Sequence, residues 1–339
     1  MPPASLLLVF DGNSLLHRAY HAAATGKLLD ADERPVWALK GLVGYVARAS
    51  ARLRPDAVVV GFDCAESSVR KADYPQYKAH RVEKAADLAE QVLAAPDLLR
   101  ATGLCTVVAS GYEADDILAS SAARARHGGW RSIVVTSDRD SFALIDEATS
   151  VLRIRNGGLD EAVLVTPSVL FDLCGVTPAQ YPDFAAVRGD PSDNLPGVRG
   201  FGSRMAARLL AAFGSVDAAW AAIDGGDEQA VRAVVGDVAG RSLAAPEMRA
   251  AVDRNRRLMR MRADLPIPDL ETARLPLSYP VMRQALAGRG IILGPSLWAL
   301  TGRTPPAEDE PPAAEPQPRG RTRSLRARRE PSPDQLALF

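Results

Sequence analysis

Three apolar runs of strand length stand out along the chain, Leu6 to Phe10, Ala57 to Phe62 and Ser132 to Thr136, each bounded by polar residues. Unbroken apolar runs of this length suit strands buried on both faces. Between them lie Ala/Leu/Arg-rich stretches with helical character, Val36 to Arg52, Ala86 to Ala101 and Glu113 to His127. The alternation predicts an α/β fold, a parallel sheet with helices on both faces. A shorter strand pair is expected at Ser150 to Ile154 and Ala162 to Val165. From Pro167 to about Gly302 the pattern is helical, punctuated by Gly and Pro. Residues 303–339 carry almost no apolar side chain until their last few positions, so they cannot bury enough surface to fold and read as a disordered Pro/Arg-rich tail. The expected organisation is thus an α/β core over 1–166, a helical region over 167–302 and a tail over 303–339.

Composition changes this picture little. A chain of 339 residues with 47% hydrophobic content can bury a sizeable core. The run Leu6 to Phe10 is too short for a signal peptide and leads straight into Asp11, and no stretch is long enough to span a membrane. The three cysteines, Cys64, Cys105 and Cys174, are scattered and odd in number, which fits small packed hydrophobes in a reducing cytoplasm. A formal net charge of zero does not exclude nucleic acid as a partner, because it sums over regions of opposite sign.

The chemistry lies where the apolar strands end. Asp11 closes SLLLVFD, Asp63 closes AVVVGFD, and Asp138 and Asp140 follow SIVVTSDRD. Glu113, Asp115 and Asp116 open a helix in GYEADDILAS, and Asp190 and Asp193 sit in VRGDPSDNLPGV. The carboxyl ends of parallel strands line the crevice where ligands bind. One Asp at a strand end is often a turn former or helix cap; nine carboxylates meeting in one crevice repel one another unless cations neutralise them. With no His or Cys at ligand spacing, all-oxygen ligation points to Mg²⁺ or Mn²⁺. Nine acids exceed the needs of one ion, and a pair of ions is the arrangement used for in-line phosphoryl hydrolysis.

Three further segments bear on function. Between Cys64 and about Arg100 the connection is far longer than a usual α/β loop, and Arg70, Lys71, Tyr74, Tyr77, Lys78, His80 and Arg81 mix bases with aromatic rings at its centre. Such a mixture suits single-stranded nucleic acid, although a solvated basic helix face has the same composition. The glycine-rich run Gly197 to Leu210 leads into an amphipathic helix and would let backbone N–H groups meet a phosphate; a tight helix-packing turn would look the same. Finally, the chain ends in an apolar pentapeptide, QLALF, after a solvated stretch with six arginines between Arg319 and Arg329 and no acid among them. The arginines suit non-specific DNA contact. The apolar end is either a chance ending or a segment that a partner covers.

In order, FDGNSLLHRAYHA, YPQYKAHR, GYEADDILAS, TSDRDSFALI and RGDPSDNLPGVRGFGSRMAARLL resemble the 5′-nuclease (flap endonuclease) family, and within it the 5′ to 3′ exonuclease domains of bacterial DNA polymerases. The resemblance covers roughly Leu6 to Pro268, with no counterpart of polymerase or proofreading domains, as in a stand-alone nuclease. It implies a parallel-sheet (PIN/5′-nuclease-like) core, a helical arch at about 64–100 and an all-helical, helix-turn-helix-type DNA-binding region. It implies a first metal site on Asp11, Asp63, Glu113, Asp115 and Asp116, and a second on Asp138, Asp140, Asp190 and Asp193. Lys78 and Arg81 match basic residues that reach the scissile phosphate. Arg18, Arg70 and Tyr77 are expected at DNA. Gly197, Arg199, Gly200, Gly202 and Arg204 would grip the duplex backbone, with a monovalent cation at the turn. The departures are mild: Arg139 stands in place of the usual Lys, Phe201 and Met205 in place of Ile and Thr, and the segment after Arg81 lacks a proline.

The terminal QLALF also resembles the bacterial sliding-clamp binding motif, with Gln335, Leu336, Leu338 and Phe339 as its anchors. The implied function is a two-metal 5′-3′ exonuclease and flap endonuclease acting on 5′ flaps, nicked or gapped duplex and RNA-primed ends in replication and repair. It would act as a cytoplasmic, nucleoid-associated monomer without membrane attachment. A branched-DNA binding module with weak or no catalysis is the alternative, against which the complete acidic set speaks. A PIN-type ribonuclease would share the core but lack the duplex-gripping turn.

Overall fold

The computed structural model describes residues 4–22, 28–292 and 294–302. The tail expected over 303–339, with its arginines and QLALF, lies outside the described residues.

Six strands form one sheet: β1 (Leu6–Asp11), β2 (Ala57–Phe62), β3 (Cys105–Val108), β4 (Arg131–Thr136), β5 (Thr149–Arg155) and β6 (Gly158–Val165). They stand in the order β3-β2-β1-β4-β5-β6. All neighbours run parallel except β5 and β6, which form the expected hairpin. The strand β3 has no counterpart in the sequence pattern. Four residues, CTVV, are too few to show a period, and the strand is specified by pairing with β2 at the sheet's edge. The hairpin strand β6 starts earlier than Ala162 because its register with β5 continues to the Arg155–Gly158 pair.

Helices α1 (Gly12–Ala22), α2 (Trp37–Leu53), α3 (Val69–Asp73), α4 (Ala86–Ala101) and α5 (Ala114–His127) fill the connections. Alternation along each strand sends successive side chains to opposite faces. Leu8, Phe10, Val58, Val60, Ile133 and Val135 meet Leu16, Leu42, Val46 and Leu99 from α1, α2 and α4. Leu7, Val9, Val59, Val134 and Val151 meet Ile117 and Leu118 of α5 on the other face.

The second cluster continues without a break into the helical region: α6 (Pro167–Cys174), α7 (Tyr181–Arg188), a small hairpin of β7 (Gly189–Asp190) and β8 (Leu195–Pro196), then α8 (Ser203–Phe213), α9 (Val216–Asp224), α10 (Glu228–Val235), α11 (Asp237–Ala244) and α12 (Pro246–Met259). Tyr181, Phe184, Phe201 and Leu209 are buried with the α5 face, so this region is packed onto the core rather than tethered to it.

Two boundaries differ from expectation. The segment after Arg274 returns to the opposite face of the sheet. Leu275 N donates to Asp56 O at 2.9 Å, and Met282 and Leu286 of α13 (Tyr279–Ala287) and Leu300 of α14 (Trp298–Thr301) join the α2/α4 core. Apolar period alone could not say which face these helices would cover. Likewise α4, expected within the arch, is a core helix: Leu88, Ala95, Leu98 and Leu99 are buried, and Gln91 Oε1 accepts from Ala38 N at 2.8 Å at the start of α2. The segment that stands over the strand ends is therefore 64–85. No single helix among the described residues is long and apolar enough to cross a membrane.

Candidate active site

Because β1, β2 and β4 run parallel and in register, their carboxyl ends finish side by side. Asp11 closes β1, accepting from Ser14 N at 2.9 Å and from Thr136 Oγ1, at the end of β4, at 2.7 Å. Asp63 follows β2; its N–H donates to Asn13 Oδ1 (2.9 Å) and its Oδ1 accepts from Ala114 N (2.8 Å) at the start of α5. A carboxylate there satisfies an otherwise orphaned helix N–H and faces the positive end of the helix dipole. Glu113 is the N-cap of the same helix and forms a capping box with Asp116, which points Asp115 outward between them.

Asp11, Asp63, Glu113, Asp115 and Asp138 line a cleft of about 590 Å³, with Arg18, Lys78 and Arg81 on its walls. Beside it, carboxylate oxygens of Asp140, Asp190 and Asp193 lie within 4.8 Å of one another. Asp190 and Asp193 reach this place through the turn of the β7–β8 hairpin, where Asn194 adopts φ 59°. Asp138 acts electrostatically on both Asp115 and Asp140, so the groups share it.

The charges are crowded enough to move the acids' titration. Burial, with the neighbouring charges of Asp63 and Asp138 adding to it, raises Asp11 to about 7 despite its two hydrogen bonds. Burial and then the charges of Asp138 and Asp11 push Asp115 well up, and burial with Asp138, Asp190 and Asp193 does the same to Asp140. Asp193 is also raised, burial outweighing Lys78 and Arg81. Glu113 goes the other way: burial opposes its charge, but Lys78 and Arg70 together hold it below the usual range. Acidic side chains that retain protons for want of a counter-charge, with oxygen donors only, fit hard divalent cations. His17, on the cleft wall, is held low by burial and by Lys84, in keeping with a packing role.

The basic segment over the strand ends docks on these acids. Lys78 Nζ lies 2.9 Å from Glu113 Oε2 and 3.7 Å from Asp193 Oδ2; Arg81 Nη2 pairs with Asp193 Oδ1. Lys78 N also donates to Asp193 O at 3.0 Å, its backbone at φ 55°. Lys78 and Arg81 thus stand beside the carboxylates.

Three expected assignments come out differently. Asp116 does not face the cleft: it is fully buried, its oxygens accepting two bonds from Arg70 (2.6 and 2.7 Å), one from Glu113 N (3.1 Å) and one from Arg262 N (2.8 Å). Arg70 is buried too, its Nε donating to Leu258 O at 2.8 Å, which removes it from any DNA surface. Tyr77 is buried with its hydroxyl donating to Glu113 Oε2 at 3.0 Å, so its ring is not free to stack on a base. All three hold the arch base and Glu113 in position. A charged Arg can be buried only with a paired carboxylate, and sequence adjacency to Asp115 hid that Asp116 points the opposite way on the helix.

Arg18 sits on the cleft wall, Nη2 bonded to Asn156 Oδ1 at 3.2 Å. Gly197, Arg199, Gly200, Gly202 and Arg204 form the turn into α8, away from the cleft. Arg199 and Arg204 are exposed there without an acidic partner among the described residues. A Cβ on Gly197 would lie 2.1 Å from Arg188 O, and Gly200 has φ 89°, so both glycines are required by the backbone path. The positioning residues Asn13, Ser14 and Thr136 escaped the sequence reading; their only signal was adjacency to Asp11 and Asp138.

Known proteins resemble this chain. Residues 6–170 match the family described as 5′-3′ exonuclease, N-terminal resolvase-like domain, and residues 176–279 match 5′-3′ exonuclease, C-terminal SAM fold. DNA polymerase I of Mycobacterium bovis is 36% identical over 261 residues, 77% of this chain and 28% of the relative. Thermostable DNA polymerase I of Thermus aquaticus is 36% identical over 216 residues, 64% of this chain and 25% of the relative. The chain thus spans little more than a quarter of these relatives' length. Among solved structures, the bacteriophage T5 D15 flap endonuclease, in a complex with DNA and metal ions, superposes with a TM-score of 0.58 at 21% identity, covering 75% of this chain and 88% of its own. The catalytic core of Rad2, with DNA substrate, superposes with a TM-score of 0.51 at 14% identity, covering 84% and 88%. At these identities the superpositions establish a shared fold.

Proposed function

Since the chain belongs to the 5′-3′ exonuclease family, matched over both its N- and C-terminal domains, we propose that it hydrolyses phosphodiester bonds of DNA where a single-stranded 5′ end meets duplex. The observation that carries this reading is the juxtaposition of two carboxylate groups, joined at Asp138, with Lys78 and Arg81 directly over them. Two Mg²⁺ or Mn²⁺ ions held there would supply a water of lowered pKa and charge to meet the leaving oxygen. Lys78 and Arg81 turn from Glu113 and Asp193 to the scissile phosphate, placing donors where charge develops in the transition state. The exposed glycine-rich turn, with Arg199 and Arg204, grips the duplex backbone at a distance and would hold a monovalent cation. Substrates are 5′ flaps, nicked or gapped duplex and RNA-primed ends, and the setting is replication and repair in the cytoplasm, at the nucleoid. The enzyme acts as a monomer, held to the sliding clamp by Gln335, Leu336, Leu338 and Phe339.

The test uses 5′-labelled flap, nicked and RNA-primed duplexes with Mg²⁺ or Mn²⁺. Asp63→Asn and Asp138→Asn abolish cleavage and retain flap binding, since duplex contacts lie elsewhere. Lys78→Ala and Arg81→Ala lower turnover at saturating DNA far more than affinity. Undiminished cleavage in EDTA, or by both Asp variants, rejects the two-metal reading.

A further inference from the structure

One basic cluster lies beside the acidic site without forming an ion pair with it. We propose that Arg139, Arg153, Arg155 and Arg188 form a binding site for nucleic-acid backbone phosphates, which carries the duplex strand from the cleft to the glycine-rich turn. This rests on the proposed action on DNA and adds a contact surface to it.

The four side chains converge by topology. On β5, Arg153 and Arg155 alternate with Leu152 and Ile154, which face α2 and α4, so both arginines share the face of Val151, on the side of α5 and α7. Register puts Arg153 beside Thr136 at the end of β4, just ahead of Asp138 and Arg139. The Tyr181 hydroxyl, from α7, donates to Arg139 O at 2.9 Å. Arg188 ends α7, its guanidinium over the Phe184 ring at 5.4 Å and its Nε 3.3 Å from Gly189 O.

What marks the cluster is that four guanidinium groups gather with no ion pair between them and any acid among the described residues, Asp138 and Asp140 acting on Arg153 and Arg188 only through space. Several arginines elsewhere pair with acids: Arg70 with Asp116, Arg81 with Asp193, Arg126 with Asp146, Arg249 with Asp224, Arg256 with Asp183. Among the described residues no carboxylate lies within ion-pair distance of these four. The Nε of Arg153 is buried without a hydrogen-bond partner, an arrangement that costs free energy. Burial, followed by the charges of Arg139 and Arg155, disfavours the charged form of Arg153. A guanidinium does not give up its proton in a protein, so an anion is what relieves the strain.

The cluster's position selects the anion. At one end Asn156, next to Arg155, binds Arg18 on the cleft wall. At the other, the Arg188 carbonyl abuts Gly197 at the start of the glycine-rich turn. Arginines strung between a phosphate-cleaving cleft and a duplex-gripping turn suit successive phosphates of one strand, which guanidinium groups bind in bidentate fashion.

The experiment measures binding of the full-length chain to labelled duplex DNA in EDTA across a range of salt. Arg153→Gln/Arg155→Gln lowers the slope of log affinity against log salt by about 2, near 0.9 per lost phosphate contact. Arg283→Gln, a charge loss on the exposed side of α13, leaves the slope as in the wild type. If the double variant does not fold, Arg155→Gln, at an exposed position, carries the test with a change of about 1. In parallel, inorganic phosphate raises the melting temperature of the wild type more than that of the variant at equal ionic strength. An unchanged slope in a folded variant overturns this inference while leaving the nuclease reading standing; a wild type that binds no duplex overturns both.

Discussion

Replacing Asp116 with Ala separates a structural carboxylate from a metal ligand. In the folded protein Asp116 is fully buried and accepts four hydrogen bonds, two from the buried Arg70 guanidinium at 2.6 and 2.7 Å and two from the backbone N–H groups of Glu113 and Arg262. Its removal leaves Arg70 with the carbonyls of Leu258 and Arg260 and with Glu113 Oε2 at 3.7 Å, a charge only partly compensated. Breaking a buried ion pair by deleting one partner costs about 3–5 kcal/mol. The two orphaned N–H groups lie within that figure, since the cavity lets water reach some of the freed donors. Urea unfolding in EDTA therefore shows Asp116→Ala destabilised by about 3–5 kcal/mol, with the midpoint shifted and the slope retained. Arg70→Met combined with Asp116→Ala recovers part of the loss, because no unpaired charge remains buried. By contrast Asp138→Ala, at an exposed carboxylate in a crowd of like charges, leaves EDTA stability equal or higher. A loss below about 1 kcal/mol for Asp116→Ala, accompanied by weaker divalent binding, would refute the anchor role and restore Asp116 to the metal site.

Asp11 is raised to about 7 in the folded protein from an ordinary value near 3.8, so its contribution to stability is fully present below 3.8 and is lost as pH rises through 7; Asp115, Asp140 and Asp193 shift in the same direction. Metal-free protein accordingly melts lower at pH 8 than at pH 6, and 10 mM Mg²⁺ (about a hundred-fold over a sub-millimolar Kd) raises the melting temperature more at pH 8, where protons no longer compete; equal gains at both pH values in a melting series would show that the crowded acids are not the binding site. Gly197→Ala puts a Cβ 2.1 Å from Arg188 O and forces the backbone of the turn to move, so duplex affinity falls at least about ten-fold in anisotropy titrations while the core melts within a few degrees of the wild type. Deleting Gln335 to Phe339 abolishes binding to the organism's own clamp, read by calorimetric titration, and a tail peptide with Leu338→Ala/Phe339→Ala fails in the same way, because the apolar anchors carry the energy.

The acids were legible because their chemistry and their positions coincide: polar residues at the ends of apolar runs mark both the strand boundary and the crevice, and a parallel sheet collects strand ends from remote parts of the chain. The long connection after Asp63 was legible as basic, but it was the family resemblance that singled out Lys78 and Arg81 within it. Arg153 and Arg155 went unnoticed for the opposite reason. They occupy alternate positions of an ordinary-looking strand, and only the register of β5 against β4, with α7 folded over the same face, brings them to Arg139 and Arg188.

From residue order alone follow the alternating α/β architecture, the helical second region and the family, because periodicity and local motifs are properties of neighbours in the chain. Tertiary structure alone decided that Asp116 turns inward to Arg70, that Tyr77 buries its ring under Glu113, that α4 belongs to the core rather than the arch, and that residues 275–302 return to the α2/α4 face. Each of these depends on which distant group arrives at the other end of a contact. A buried charge must meet its partner and an apolar face must meet its cover, and that pairing is fixed by the packing of the whole body, not by the residues on either side.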